Sequence, residues 1–158
     1  MAQRECTLSG VSSSMVYDNS QAILAAPTRL AFPHYKPEEL EVAKRFLKSG
    51  SLKGHWVIWL ALDTPQSESL KRLKANPREI WHWQLQIDAT CETDTELWIV
   101  EFKERLRPSG VGQLLVYKYW HEKTFKPSKP VRLIMVATID DPAVREFCET
   151  IPIRCELV

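Results

Sequence analysis

The sequence predicts an α/β fold around a mixed central sheet, and three features carry that prediction. A proline-led amphipathic run over residues 37–50 reads as a helix ahead of the first β-rich segment. Two alternating runs, 80–89 and 96–105, are joined by a short turn-forming stretch and read as a hairpin. A helical segment then leads into 131–139, whose near-continuous apolar run fits a strand in parallel pairing with both faces covered.

Taken in order, residues 1–30 hold Ser12-Ser13-Ser14 and few bulky apolar groups, and read as a flexible N-terminal arm with one helical turn near 21–26. The domain proper spans 31–158. Pro37 takes the first helical position, where a missing N–H is tolerated, and Glu38 and Glu39 suit the positive end of the helix. Leu40, Val42, Ala43, Phe46 and Leu47 continue the apolar face, and Gly50 ends it. His55 to Leu62 is rich in Trp and branched residues and too short for a buried helix, so it reads as a strand, and 66–74 follows as a short polar helix. From Ile80 to Ala89 strict alternation puts Trp81, Trp83, Leu85 and Ile87 on an expected core face, and His82, Gln84, Gln86 and Asp88 on the other.

After the turn at Cys91–Thr95, Glu96 to Arg105 forms the second hairpin strand. Pro108-Ser109-Gly110 ends it, with Ser109 as the N-cap of a helix reaching about Glu122. Pro142 to Cys148 reads as a short helix and Ile153 to Val158 as a last strand, which gives α-β-β-β-α-β with a trailing α-β.

A chain of 158 residues fits one hydrophobic core. Apolar residues at 44% and charged residues at 26% exclude disordered and fibrous classes for most of it. No stretch approaches the roughly 18 apolar residues of a membrane span, and the start Met1-Ala2-Gln3-Arg4-Glu5-Cys6 has no apolar leader region, so a soluble cytoplasmic protein is expected. Cys6, Cys91, Cys148 and Cys155 form no C-x-x-C pair and read as reduced thiols. His34, His55, His82 and His121 lack metal-ligand spacing.

Charge is unevenly distributed along the chain. Asp88, Glu92, Asp94, Glu96 and Glu101 fall in a stretch with no Lys or Arg, which suits a divalent cation. From Lys103 to Arg132 there are eight basic residues against Glu104 and Glu122, which suits a phosphate backbone.

On the strand 96–105, Glu101 and Lys103 leave the same face as Leu97 and Ile99, while Trp98, Val100 and Phe102 leave the other. Charges on a face otherwise built to be buried need a reason. The hairpin sets Asp88 opposite or diagonal to Glu101, so two carboxylates and an ammonium converge. Phosphodiester hydrolysis needs those parts: carboxylates for a metal that activates water, and a cation against charge developing in the transition state.

Ile87-Asp88, a spacer and Glu101-Phe102-Lys103 resemble the signature of the PD-(D/E)XK nuclease superfamily, and the predicted order of elements resembles its restriction-endonuclease-like αβββαβ core. Gly112-Gln113-Leu114-Leu115-Val116-Tyr117 resembles the Q-x-x-x-Y helix of the RecB-like branch, and the helix from Glu39 to Gly50 resembles that of archaeal-type Holliday-junction resolvases. The resemblance implies a Mg²⁺- or Mn²⁺-dependent nuclease acting on DNA, with Asp88 and Glu101 as metal ligands and Lys103 as the catalytic lysine. It adds Gln113 and Tyr117 to the catalytic set and Glu39 to the metal set, with Glu41 and Glu38 as substitutes. Arg105, Arg107, Lys118 and Lys123 are expected on the DNA backbone, and Trp120 against its bases. Small size points to an endonuclease of phage, mobile-element or repair type that works as a homodimer or with a targeting partner. The alternative is a nucleic-acid-binding or assembly module that keeps the fold without activity.

Overall fold

A computed structural model of the chain describes residues 20–25 and 36–158. It is an α/β structure with one five-stranded mixed sheet flanked by helices. The elements are α1 (Ser20–Ala25), α2 (Pro37–Ser49), β1 (His55–Leu62), α3 (Pro65–Arg72), α4 (Pro77–His82), β2 (Leu85–Glu92) and β3 (Leu97–Arg105). They continue with α5 (Pro108–Phe125), β4 (Val131–Ile139), α6 (Pro142–Glu149) and β5 (Ile153–Leu157). Strands lie in sequence order. The pairs β1/β2 and β2/β3 are antiparallel, and β3/β4 and β4/β5 are parallel.

The apolar runs of β3 and β4 bury both faces, as central strands under helices on each side must. On one side Val42, Ala43 and Phe46 of α2, with Ile23 of α1, pack on Ile58, Val100, Phe102 and Val136. On the other, Val111, Leu114 and Tyr117 of α5, with Val144 and Cys148 of α6, pack on Ile99, Leu133 and Met135. Within the expected arm, Ser20–Ala25 is thus a helix whose Ile23 enters the core; the rest of 1–30 lies outside the described residues, as do Cys6 and His34. Among the described residues, no helix is long and apolar enough to cross a membrane.

One element departs from expectation. The alternation over 80–89 predicts a single strand, yet Pro77–His82 is a helix and the strand begins only at Leu85. Local capping decides this: Pro77 sits at the first helical position and the Asn76 side chain accepts the Glu79 N–H at 3.0 Å. Trp81 and Trp83 are in consequence 42% and 52% exposed rather than core. The long helix also starts earlier than expected, with Arg107 rather than Ser109 at the N-cap and Pro108 at the first helical position.

Candidate active site

Asp88 and Glu101 face each other across the β2/β3 hairpin. Ala89 pairs with Val100, and one further step along that register sets Asp88 opposite Glu101, with Cβ atoms about 5 Å apart. Asp88 Oδ2 accepts the Phe102 N–H at 2.9 Å, so the side chain ties the two strands together where the paired register ends. Alternation along β3 then points Glu101 and Lys103 to the α5 side, below Leu97 and Ile99. Glu101 is 1% exposed.

The Lys103 ammonium bonds Glu101 Oε1 and lies 3.8 Å from Glu39 Oε1. Glu39 Oε2 accepts the Lys36 N–H at 3.3 Å, which closes the first turn of α2 and fixes where this carboxylate hangs. Of the three acids open to this role, the structure brings Glu39 to the centre. Glu41 pairs with Arg45 at 3.2 Å, and Glu38 is exposed at the rim of the cleft.

Helix α5 completes the centre from behind. Gln113 Nε2 donates to Tyr117 Oη at 3.2 Å, as one-turn spacing allows, and Tyr117 is buried. Burial, together with the negative charge of Glu101 and Asp88, holds its phenol well above the usual tyrosine range.

Two positioning features were not legible as such in the sequence. Gly110 reads there only as part of a strand-ending turn, but a Cβ on it would stand 2.5 Å from Met135 Sδ and 3.7 Å from Lys103 Cγ. Its missing side chain lets the first turn of α5 lie directly on the sheet. Trp59, opposite Asp88 in the β1/β2 register, has φ +64°, an uncommon conformation for a bulky residue. Beyond it the apolar residues change sides: Trp56 and Ile58 enter the α2-side core, Leu60 and Leu62 the α5-side core. No residue-type signal in the sequence marks such a reversal at a tryptophan.

Negative charge in this centre is only partly neutralised. Burial, then the neighbouring Glu101 charge, pushes Asp88 well above the usual carboxylate range, against the Phe102 hydrogen bond and Lys103. Burial likewise raises Glu101, against the pull of Lys103. Burial acts to lower Lys103, but Glu101, Asp88 and Glu39 outweigh it, so its ammonium is held more firmly than usual. Glu101 Oε2 is buried and meets no hydrogen-bond donor among the described residues.

An orphaned buried carboxylate oxygen beside two further carboxylates is a hard, oxygen-only donor set, which fits Mg²⁺ or Mn²⁺. As the side chains stand, no three such groups among the described residues are gathered as a ready metal site, and Lys103 stands between Glu39 and Glu101.

The expected nucleic-acid contacts divide into two groups. Arg107 lines a cleft of about 140 Å³ with Lys36, Glu39, Lys103, Ser109 and Gln113, and Arg105 is exposed at the end of β3. Lys118 lies 3.8 Å from Glu122. Lys123 covers the Trp120 ring at 4.7 Å, and both line a separate groove of about 470 Å³ beside Asp63 and Arg72. Ten residues along α5 from Gln113, Lys123 is about 15 Å from the cleft. No protein-family model, curated protein or solved structure matches this chain, so the assignment of its site rests on the residues and geometry above.

Proposed function

We propose that the chain is a metal-dependent nuclease with a restriction-endonuclease-like fold, hydrolysing phosphodiester bonds of nucleic acid, with DNA endonuclease activity as the leading form. The observation that carries this reading is the convergence of Asp88, Glu101, Glu39 and Lys103 at the end of one hairpin, with Glu101 Oε2 buried and unsatisfied. A fold that needed only stability would not keep two like charges there. A cleft of about 140 Å³ is also too small to enclose a metabolite, but it can touch one backbone phosphate of a polymer lying across the surface.

Asp88, Glu101 and Glu39 would hold a divalent cation, which when bound polarises the phosphate and lowers the pKa of the attacking water. Lys103, with its pKa raised, stays an ammonium and offsets charge on the phosphate oxygens rather than taking a proton from water. Tyr117 stays a phenol; with Gln113 donating to its oxygen, its own O–H is left to donate toward the carboxylates. Arg107 and Lys36 at the cleft rim supply cations for flanking phosphates.

The second reading, a binding module without activity, is favoured by Lys103 already compensating Glu39 and Glu101 as a structural ion pair would. A gel assay on linear, circular, single-stranded and branched DNA, and on RNA, with Mg²⁺ or Mn²⁺ separates the two. Cleavage that vanishes in EDTA and in Asp88→Ala or Glu101→Ala is expected. Cleavage that survives in either variant, or none on any substrate, would sink the nuclease reading.

A further inference from the structure

Lys103 puts a cation of the chain's own among the carboxylates of the centre. Its ammonium bonds Glu101 Oε1, lies 3.8 Å from Glu39 Oε1 and is close enough to Asp88 to feel its charge. A divalent ion held by Glu39, Glu101 and Asp88 needs these oxygens drawn toward one point, and as the side chains stand they are not gathered in that way. A metal about 2.1 Å from either Oε1 atom would stand within about 6 Å of the ammonium, and the two cations would repel.

The carboxylates are fixed and the lysine is not. Glu101 is buried at 1% exposure, Asp88 Oδ2 is tied to the Phe102 N–H, and Glu39 Oε2 to the Lys36 N–H. Lys103 instead carries its charge on a flexible four-carbon stem. It also lines the cleft of about 140 Å³ that Lys36, Arg107, Ser109 and Gln113 share, so a turn of the stem carries the ammonium away from the carboxylates without a backbone movement.

We propose that Lys103 is a displaceable occupant of the metal position, and that a divalent ion enters the centre by driving its ammonium off Glu39 and Glu101 into the cleft. The inference rests on the nuclease reading and adds a regulation to that same site. An ion arriving alone has to break the lysine's ion pairs and binds weakly. A phosphate lying in the cleft accepts the ammonium in a charge-assisted hydrogen bond, so metal uptake is favoured once substrate is in place.

The test reads metal binding and lysine exposure, without nucleic acid and without cleavage. Mn²⁺ uptake, followed by the electron paramagnetic resonance signal of the free ion, would be compared for the unaltered chain and Lys103→Met, which keeps an apolar stem and loses the charge. A hydrogen bond to a charged group is worth roughly tenfold or more in an equilibrium, so the variant should bind Mn²⁺ at least about tenfold more tightly. A second measurement uses the unaltered chain and covers the case where the variant does not fold. Acetylation by acetic anhydride, located by mass spectrometry, should modify Lys103 several-fold faster in saturating Mn²⁺ than in EDTA. Lys129, bonded to Glu92 at 2.9 Å and to Thr93 O at 2.6 Å, should keep its rate.

Equal Mn²⁺ affinity in the two chains, or Lys103 modification that is unchanged or slower in saturating Mn²⁺, would overturn the proposal. If Mn²⁺ is nonetheless bound, and lost in Glu101→Gln, the metal centre stands and only the part assigned to Lys103 falls. No Mn²⁺ bound by either chain would remove the metal centre, and the nuclease reading with it.

Discussion

Replacing Asp88 by Asn should stabilise the fold while removing activity. Asp88 faces Glu101 across the hairpin, and both carboxyls are raised, first by burial and then, for Asp88, by its partner's charge. Two unit charges about 5 Å apart at an effective dielectric constant near 20 repel by roughly 3 kcal/mol. Lys103 compensates some of the charge, so on the order of 1–2 kcal/mol should be recovered. Asparagine keeps an oxygen for the Phe102 N–H and offers an N–H to Glu101 in place of the repulsion. For a chain of this length that is a rise in Tm of about 2–8 °C.

The pH dependence has a definite sign. With folded-state values raised, the folded chain holds protons that the unfolded chain has released. The stability of the unaltered chain should then fall as pH climbs from the ordinary value near 3.8 through the raised ones, and Asp88→Asn should flatten that fall. Differential scanning calorimetry over this range, repeated with Mn²⁺, is the assay. Mn²⁺ should raise Tm in the unaltered chain and not in the variant, because a ligand bound only to the folded state stabilises it. A variant that melts several degrees lower would show Asp88 to be an ordinary structural acceptor and would refute the reasoning.

Lys103→Ala should lose roughly 10²–10³ in cleavage rate and keep its DNA affinity within a few fold, measured by single-turnover kinetics and anisotropy. Lys103→Arg should be nearly as poor, because a planar guanidinium does not fit between Glu39 and Glu101 as an ammonium does. Gly110→Ala should destabilise by about 1–3 kcal/mol in urea denaturation, since its Cβ meets Met135 Sδ at 2.5 Å; an unchanged midpoint would mean that α5 does not lie so close to the sheet. His121 is held neutral by burial, its pKa lowered to about 4 from 6.5. Stability should therefore drop by about 3 kcal/mol as pH falls through that window, because the unfolded chain takes up the proton first. His121→Phe should lose that acid slope.

Which parts of this were legible in the sequence follows from the range of the forces involved. Pairing partners and same-face neighbours are set by the period of the strand, so Asp88, Glu101 and Lys103 could be brought together from spacing alone. The Gln113–Tyr117 contact likewise follows from one turn of helix. The continuous apolar run of β4 carried its burial and its parallel pairing. A period-two pattern over Ile80–Ala89 failed at its start because its first three residues, Ile80, Trp81 and His82, are also compatible with the end of a helix, and the Asn76–Pro77 cap tips that balance.

Tertiary structure alone decided what depends on distant segments meeting. It selected Glu39 over Glu38 and Glu41, since only the packing of α2 on the sheet brings one first-turn carboxylate to Lys103. It turned Gly110 from a strand-ending turn residue into a helix–sheet contact, and it reversed β1 at Trp59. It also set how far each group departs from ordinary protonation, because desolvation and neighbouring charge exist only once the hairpin, α2 and α5 have closed around the centre.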